Sequence, residues 1–284
     1  MISGKTNVLA IIGNPVEHSL SPCMQNAALK ELGLDYVYLA FPVREESLAE
    51  ALTGFTALGI KGANVTIPHK INALNYMDEL HESAEKVGAV NTIKNDSGEL
   101  IGFNTDGEGM LRSLRNEVSE IESKSVLLLG AGGAARAIGF SIVEAGASLT
   151  ISNRTASKAK KLAETISGQT KGDVRQVELS KKVLIDEIKN SDILINATSV
   201  GMEPNTDETL VSADMMHSDL IVNDIVYKPL KTKLLEEAEK AGAKTIDGLG
   251  MLVHQGATSL EIWTGEKAPI KVMRKATENA IKEE

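Results

Sequence analysis

A glycine-rich turn is the clearest chemical signal in the sequence. The apolar run Ser125–Leu129 leads into Gly130, Gly132 and Ala135 with the spacing G-x-G-x-x-A, and a helical pattern follows. Gly130 permits a tight turn, Gly132 allows backbone to approach a pyrophosphate, and Ala135 lets the helix pack closely on the strand. The pyrophosphate would lie at the helix N-terminus, where free N–H groups favour anions. An ordinary strand-to-helix turn can carry the same glycines, so the next strand must decide between the two interpretations.

The residues after that next strand favour NADP. The predicted strand at 148–152 ends in Asn153, Arg154 and Thr155. NAD sites place an Asp or Glu here, about 20 residues after the glycines, to bind the ribose 2′-hydroxyl. The guanidinium of Arg154 instead suits a 2′-phosphate, and Lys158 adds a second positive charge. The alternative, in which Arg154 only faces solvent or caps a helix, is less consistent with its position after this strand.

Lys70 is the first candidate for proton transfer. It follows Pro68, and the pattern predicts that it lies in the first turn of a helix over 68–76. Helix N-termini disfavour cations, so a lysine there, near other donors, is suited to exchanging a proton. A solvated surface lysine is the alternative. His69 is a rival acid or base, but its spacing directs it to another face.

Asp106 is the candidate partner of Lys70. The pattern predicts a hairpin with strands at 89–93 and 100–103 and a turn at 95–98. Asn91 would lie on one strand and Asp106 just after the other. A carboxylate beside Lys70 would hold the ammonium in place, and the pair could move a proton. The alternative is an Asx-turn over 104–107.

Two further segments carry candidate binding residues. Ser19 and Ser21 flank the predicted start of a helix, where two hydroxyls and free N–H groups suit a carboxylate. Ser21 followed by Pro22 also resembles an ordinary N-cap and first helical residue. Downstream, glycines in 247–255 permit close backbone approach, and we expect the following helix, through Trp263, to pack on the first domain.

Short apolar runs alternate with amphipathic stretches along the whole chain, which predicts βαβ units and parallel sheets. The predicted strands are 8–12, 36–41, 62–67, 125–129, 148–152, 193–196 and 220–225, and the helices include 21–32, 45–58, 68–76, 134–145 and 157–167. We predict two α/β domains with a cleft between them. Residues 1–107 with 247–284 would form a substrate-binding catalytic domain with a mixed, mainly parallel sheet. Residues 108–246 would form a Rossmann-type NADP domain, with the boundary on a helix over 108–118.

The composition excludes several classes of protein. The 284 residues are 42% hydrophobic and 24% charged, which is typical of a globular chain and not of a disordered one. A net charge of -9 and 3% aromatic residues argue against nucleic-acid binding. The single Cys23 excludes an intrachain disulfide, and no metal-ligand spacing is present. No apolar run approaches the roughly 18 residues of a spanning helix or the pattern of a signal peptide, so we expect a cytoplasmic protein without membrane contact.

Nine motifs, in order, resemble those of the shikimate dehydrogenase family, whose NADP-dependent members act in aromatic amino-acid biosynthesis. They are G-N-P-V-E-H-S-L-S-P (13–22), N-V-T-I-P-H-K (64–70), G-A-V-N-T (88–92), N-T-D-G (104–107), G-A-G-G-A (130–134), N-R-T (153–155), N-A-T-S-V-G-M (196–202), D-I-V-Y-K-P (224–229) and D-G-L-G-M-L-V-H-Q (247–255). The resemblance covers nearly the whole chain, and nine ordered matches are far more specific than one.

The resemblance implies reversible reduction of 3-dehydroshikimate to shikimate by NADPH in a monomer or homodimer. It implies that Lys70 and Asp106 are the catalytic pair. The implied substrate-binding residues are Ser19, Ser21, Thr66, Lys70, Asn91, Asp106, Tyr227 and Gln255. The implied cofactor-binding residues are Gly130, Ala131, Gly132, Gly133, Ala134, Asn153, Arg154, Thr155, Lys158, Thr198, Ile225 and Gly248.

Two alternatives remain open. A quinate/shikimate dehydrogenase that uses NAD or NADP shares several of these motifs, although Asn153-Arg154-Thr155 favours the NADP branch. A non-catalytic NADP-binding regulatory module would bind the cofactor without shikimate. The retained Lys70, Asp106, Ser19 and Ser21 argue against that module.

Overall fold

The computed structural model describes residues 2–283, which form two compact units. The first unit contains the chain up to Gly109 and again from Val253, and the second is Met110–Leu252. The sequence predicts that the second domain begins at residue 108 and that the chain returns to the first domain at residue 247. In the structure these two boundaries lie slightly further along the chain, at residues 110 and 253. Each falls inside a continuous helix, where no turn or loop in the sequence could mark it.

The elements follow in chain order. They are β1 (Asn7–Gly13), α1 (Ser21–Glu31), β2 (Tyr36–Pro42), α2 (Leu48–Leu58), β3 (Gly62–Val65), β4 (Glu79–Leu80), α3 (Glu82–Val87), β5 (Thr92–Asp96), β6 (Glu99–Phe103), α4 (Asp106–Arg115), β7 (Ser125–Leu129), α5 (Gly133–Glu144), β8 (Ser148–Asn153), α6 (Ala156–Gln169), β9 (Val174–Glu178), α7 (Lys181–Lys189), β10 (Ile193–Asn196), β11 (Ile221–Asp224), α8 (Lys233–Lys240), β12 (Lys244–Ile246), α9 (Gly248–Thr264) and α10 (Ile270–Glu283). Short 3₁₀ turns lie at Glu45–Ser47, Asn72–Tyr76 and Ala213–Met215.

The first unit contains a mixed sheet with the strand order β2-β1-β3-β5-β6-β4. β1 pairs in parallel with β2 and β3, and β4 pairs in parallel with β6. β5 pairs antiparallel with β3 and β6. The predicted hairpin is therefore correct, but its strands are longer at the turn, which contains only Ser97 and Gly98, both with positive φ. Asn91 consequently lies just before β5 and not on it.

The second unit contains a fully parallel sheet with the order β12-β11-β10-β7-β8-β9. Counted from β7 as the first strand, this is the 3-2-1-4-5-6 order of the Rossmann fold. The apolar strands are buried, as expected for a parallel sheet with helices on both faces. Two α/β units, one mixed and one Rossmann-type, confirm the predicted fold class.

One predicted helix is wrong. Residues 67–71 form a turn, and only Asn72–Tyr76 are helical, as a short 3₁₀ segment. The turn is fixed by His69, whose ring is fully buried with Nε2 2.6 Å from the Val43 carbonyl oxygen. Lys70 therefore lies in this turn and not at the N-terminus of an α-helix, so the helix-dipole argument does not apply to it.

The C-terminal helices pack on the N-terminal part of the first unit, as the sequence predicted. Gln25 of α1 donates from Nε2 to the Gly256 carbonyl of α9 at 2.9 Å. Trp263, at the end of α9, donates from Nε1 to the Ile93 carbonyl at 2.9 Å. Gly62 of β3 leaves room for the indole, because a Cβ there would collide with the Trp263 ring and lie 2.7 Å from the Ile93 carbonyl oxygen. Among the described residues, none of the helices combines the length and hydropathy of a membrane-spanning segment.

The close contact at Gly62 predicts a large effect of one methyl group. We expect Gly62→Ala to lower the free energy of unfolding of the first unit by about 2 kcal/mol, because backbone and indole must both move. Trp263 is the sole tryptophan, so its fluorescence in a urea titration reports this unit. Gly54→Ala in α2, where a Cβ meets nothing within 4 Å, is the control and should change stability by under about 1 kcal/mol. Equal stability of the two variants would refute this packing argument.

Candidate active site

An ion pair between Lys70 and Asp106 forms the centre of the candidate site. Lys70 Nζ lies 2.6 Å from Asp106 Oδ2. The Lys70 side chain is 27% exposed and that of Asp106 is 8% exposed. The Val90 N–H donates to the Lys70 carbonyl at 2.7 Å and anchors the turn. The structure thus brings together two residues 36 positions apart, with the ammonium accessible and the carboxylate buried.

Asn91 holds the other oxygen of the carboxylate. Its Nδ2 donates to Asp106 Oδ1 at 2.8 Å and to Thr105 Oγ1 at 3.0 Å, and its Oδ1 accepts the Thr105 N–H at 2.8 Å. The Asp106 N–H donates to Asn104 Oδ1 at 3.1 Å, so the predicted Asx-turn is also present. The Asx-turn is therefore part of the candidate site, because it positions the Asp106 carboxylate. Each oxygen of the Asp106 carboxylate therefore has a hydrogen-bond donor, the Lys70 ammonium on Oδ2 and the Asn91 amide on Oδ1.

The two serines lie where β1 leads into α1. The Ser21 N–H donates to Ser19 Oγ at 3.3 Å. Ser21 is the first residue of α1 and Leu20 is its N-cap, so the predicted capping role of Ser21 is wrong. The hydroxyl that accepts at the helix start is that of Ser19. Ser21 is 5% exposed, and its side chain hydrogen-bonds to the phenol of Tyr38.

The remaining predicted substrate residues divide between the units. Thr66 is half-buried after β3, and its methyl group packs where Gly13 has no Cβ. Gln255 of α9 lies against α4, where a Cβ on Gly109 would be 2.7 Å from the Gln255 backbone N. Tyr227 follows β11 in the second unit. Ser19, Ser21, Thr66, Asn91 and Gln255 therefore share the first unit with the ion pair.

Sequence reasoning missed a layer of buried polar side chains behind Asn91. Tyr38 donates from its hydroxyl to Asn64 Oδ1 at 2.7 Å. Asn64 Nδ2 lies 3.0 Å from Ser259 Oγ and 3.1 Å from Thr92 Oγ1. Burial raises the pKa of Tyr38, and a hydrogen bond from Ser21 partly offsets the effect. Asn64 and Thr92 lie inside recognised motifs, whereas nothing in the sequence marks Tyr38 or Ser259.

The glycine-rich turn has the geometry of a phosphate cradle. Gly130 follows β7 with a φ of 119°, and a Cβ there would lie 2.6 Å from the Ala197 carbonyl oxygen. Gly132 is the N-cap of α5 and makes no side-chain cap. A Cβ on Gly132 or Gly133 would meet nothing within 4 Å, so open space lies at this helix N-terminus beside Ala131 and Ala134. The turn therefore fits a pyrophosphate.

The end of β8 carries the predicted selectivity residues. Asn153 Nδ2 donates to the Thr155 carbonyl at 3.0 Å and shapes the turn into α6. Arg154 and Lys158 are both exposed at this end of the strand. Two cations without an acidic residue between them suit a phosphate better than a free hydroxyl.

The other predicted cofactor residues lie after β10, β11 and β12, at the carboxyl edge of the same sheet. A Cβ on Gly248 would lie 2.5 Å from the carbonyl oxygens of Ile225 and Val226, so only glycine fits. Thr198 donates from Oγ1 to Asn196 Oδ1 at 2.7 Å. Ligands of open α/β sheets bind at the carboxyl edge, where the strand order reverses.

A buried carboxylate, missed in the sequence, organises this edge. Asp224 ends β11 and accepts hydrogen bonds from Asn196 Nδ2 at 2.9 Å, the Val226 N–H at 3.1 Å and Thr232 Oγ1 at 2.7 Å. Burial raises the pKa of Asp224, and these three donors lower it in part. Asp224 opens the D-I-V-Y-K-P motif, in which the resemblance implies roles only for Ile225 and Tyr227.

The Rossmann order, the glycine turn and the lysine–carboxylate pair define the class of two-unit nicotinamide-dependent dehydrogenases. Family models match residues 11–93 (shikimate dehydrogenase substrate binding domain), 112–249 (shikimate / quinate 5-dehydrogenase) and 248–278 (shikimate 5′-dehydrogenase C-terminal domain). The NADP(+) shikimate dehydrogenase of Methanopyrus kandleri is 54% identical over 279 residues, which covers 97% of this chain and 96% of the relative.

A second relative and a solved structure are similar to this chain over nearly its whole length. The NADP(+) shikimate dehydrogenase of Methanothermobacter thermautotrophicus is 48% identical, with 99% of both chains covered. A crystal structure of a shikimate dehydrogenase in complex with NADP+ superposes with a TM-score of 0.93 at 45% identity, over 99% of this chain and 98% of that one. The chain belongs to the shikimate dehydrogenase family.

The burial of Asp224 predicts that removal of one of its hydrogen-bond donors lowers stability by an amount that depends on pH. Thr232 donates to Asp224 and caps α8 by accepting the Leu235 N–H. We expect Thr232→Val to destabilise the second unit by about 2–3 kcal/mol near pH 7. The penalty should shrink as the pH is lowered towards 4, because a carboxyl with a raised pKa takes up its proton at a higher pH than an ordinary aspartate and then needs fewer donors.

Chemical denaturation followed by circular dichroism at the two pH values measures this difference. Thr165→Val on the exposed face of α6 is the control, with an expected change below about 0.5 kcal/mol. A penalty that is independent of pH would contradict the role given to the Asp224 carboxylate.

Proposed function

We propose that this protein is an NADP-dependent shikimate dehydrogenase, which reversibly reduces 3-dehydroshikimate to shikimate in aromatic amino-acid biosynthesis. The observation that carries the proposal is the 2.6 Å contact between Lys70 Nζ and Asp106 Oδ2, in a chain of this family. Relatives that share about half of its residues over their full length are named as NADP(+) shikimate dehydrogenases. The sequence motifs and the family membership both support this reaction.

The proposed substrate contacts come mainly from the first unit, which contains the ion pair. Ser19 and Ser21 bind the carboxylate of the substrate, at the start of a helix of 11 residues. Thr66, Asn91 and Gln255 bind the ring hydroxyls in this proposal, with Tyr227 as a further contact. Hydroxyl and amide groups suit a neutral polyol ring, since each can donate and accept.

Lys70 supplies the proton in the proposed chemistry. NADPH, when bound, supplies the hydride that reduces the 3-keto carbon. The Lys70 ammonium donates its proton to the oxygen that gains negative charge, and it accepts a proton in the reverse direction. Asp106 holds the ammonium in place, and Asn91 holds Asp106. Because hydrogen bonds within the fold already fix these groups, little reorganisation is needed during the reaction.

The proposed cofactor residues are those at the carboxyl edge of the parallel sheet. Gly130–Ala134 hold the pyrophosphate at the N-terminus of α5, and Arg154 with Lys158 binds the 2′-phosphate. Asn153 and Thr155 shape that turn, and Thr198, Ile225 and Gly248 line the edge beyond it. The open space at Gly132 and Gly133 and the exposed cations support this assignment.

Removal of the Lys70 amine should abolish most of the activity. We expect Lys70→Ala to lower kcat by about 10²–10⁴-fold, because it deletes the proton donor and leaves Asp106 without its cation. NADP+ reduction with shikimate is followed at 340 nm as the assay, and NADP+ binding should be unchanged. Lys275→Ala, on the exposed face of α10, should retain wild-type activity. Full activity in Lys70→Ala would exclude the proposed mechanism, and cofactor binding without any turnover by wild type would favour the regulatory module.

The cofactor preference should depend on Arg154. We expect Arg154→Gln to lower kcat/KM for NADP+ by about 10–100-fold and to leave that for NAD+ nearly constant, because only NADP+ carries the 2′-phosphate. Arg44→Gln, an exposed arginine of the first unit, is the matched control. An equal loss of kcat/KM with NADP+ and with NAD+ would show that Arg154 does not bind the 2′-phosphate. The same assay also compares kcat/KM for quinate with NAD+ against kcat/KM for shikimate with NADP+. Comparable values would identify a quinate/shikimate dehydrogenase.

A further inference from the structure

Four buried polar side chains lie directly behind Asn91, and we call them the inner hydroxyl cluster. Its members are Tyr38, Asn64, Thr92 and Ser259. None is more than 5% exposed. They come from β2, β3, β5 and α9, so the cluster joins the sheet of the first unit to the helix that returns to it. Polar groups buried this deeply persist only when each has a partner, which gives the cluster a defined set of hydrogen-bond directions.

The directions of the bonds that involve the amides of Asn64 and Asn91 follow from donor chemistry. An amide oxygen only accepts, so the 2.7 Å contact of Tyr38 requires the phenol to donate to Asn64 Oδ1. Asn64 then presents Nδ2 to Thr92 Oγ1 at 3.1 Å and to Ser259 Oγ at 3.0 Å. Thr92 receives a hydrogen bond from Asn64 and donates to Asn91 Oδ1 at 2.9 Å, and its Oγ1 lies 2.8 Å from Ser259 Oγ in a contact where either hydroxyl can donate.

The last bond in this chain fixes the amide that holds the carboxylate. With Oδ1 engaged by Thr92, Asn91 directs Nδ2 to Asp106 Oδ1 at 2.8 Å. Asn91 Oδ1 also accepts the Thr105 N–H at 2.8 Å. Removal of the Thr92 hydroxyl would therefore loosen the amide without releasing it, so the expected effect is intermediate.

We propose that Thr92, oriented by Asn64 and Ser259, is a positioning residue for the reaction, which acts through Asn91 on the Asp106–Lys70 pair and touches neither of those two side chains. The inference rests on the proposed function and adds a residue to it. Precise placement of the pair matters more as charge develops on the substrate oxygen than while substrate binds. A change at Thr92 should therefore appear in kcat and not in KM.

The test compares Thr92→Val with Thr92→Ser in the shikimate and NADP+ assay. Valine keeps the branched shape and deletes the hydroxyl, whereas serine keeps the hydroxyl and deletes the methyl group. We expect Thr92→Val to lower kcat about tenfold with KM for shikimate within about twofold of wild type, as for a lost transition-state interaction. Thr92→Ser should recover kcat to within about threefold of wild type.

A matched control separates positioning from loss of a buried hydroxyl. Thr277 of α10 is fully buried in the same unit and donates from Oγ1 to the Met273 carbonyl at 2.8 Å. Thr277→Val should lower stability and leave kcat unchanged. A urea titration followed by the fluorescence of Trp263, which lies in the first unit, gives the folded fraction of every variant, so kcat is compared per folded molecule.

A second variant tests the far end of the chain of hydrogen bonds. Tyr38→Phe keeps the ring beside Trp263, whose centroid is 6.0 Å away, and removes the hydroxyl, which orients Asn64 and also hydrogen-bonds to Ser21, so an effect through Asn64 is read from kcat and an effect through Ser21 from KM for shikimate. We expect a fall in kcat of about threefold, with Tyr36→Phe on the same strand as control. This variant decides the question if Thr92→Val does not fold.

The outcomes are distinguishable. A wild-type protein without shikimate turnover overturns the proposed function and this inference with it. An active wild type with full kcat in Thr92→Val overturns this inference alone. A kcat that falls equally in Thr92→Val and Thr92→Ser, or a loss that appears only in KM, also overturns it, since neither follows from the hydroxyl donating to Asn91.

Discussion

The first unit is organised around a partly buried ion pair that is costly to form. Transfer of an ammonium and a carboxylate out of water costs more than their attraction returns, unless other groups complete their hydrogen bonding. Here Asp106 receives Lys70 on one oxygen and Asn91 on the other, and Asn91 is itself held by Thr105 and Thr92. The ammonium is the more exposed partner, which lowers its desolvation cost and leaves it accessible to a substrate. The burial of the carboxylate limits its freedom and fixes where the ammonium lies.

This requirement explains the mixed sheet. Lys70 follows β3, Asn91 precedes β5, and Asp106 follows β6, so all three lie at one end of neighbouring strands. An all-parallel sheet would need a crossover helix between β5 and β6, whereas the hairpin brings Asn91 and Asp106 together with a two-residue turn. The antiparallel pairs of the mixed sheet are therefore the part that builds the site. The parallel pairs connect it to β1 and to the start of α1, where the serines lie.

The sequence predicted most of the fold because its signals are local. The glycine turn, the hairpin and the order of strands and helices each depend on residues within a few positions of one another. The prediction of a helix at 68–76 was wrong because the buried His69 ring, which contacts a carbonyl 26 positions away, holds this segment in a turn. Ser259 was missed for the same reason, since its contact with Asn64 spans 195 positions. Long-range polar contacts leave no periodic pattern in a single sequence.

A chain with a net charge of -9 can still bind anionic ligands, because the donors are local and mostly neutral. In the second unit, the helix N-terminus at Gly132 and Gly133 offers backbone N–H groups, and the cations Arg154 and Lys158 lie only where a further phosphate is proposed. In the first unit, Asp106 cancels most of the charge of Lys70, and the serines carry none. Backbone dipoles and hydroxyls act over a few ångströms, well within the roughly 8 Å over which salt screens charges at physiological ionic strength. Anion recognition by fixed dipoles is therefore compatible with an acidic surface, and its specificity comes from the exact placement of strand ends and turns.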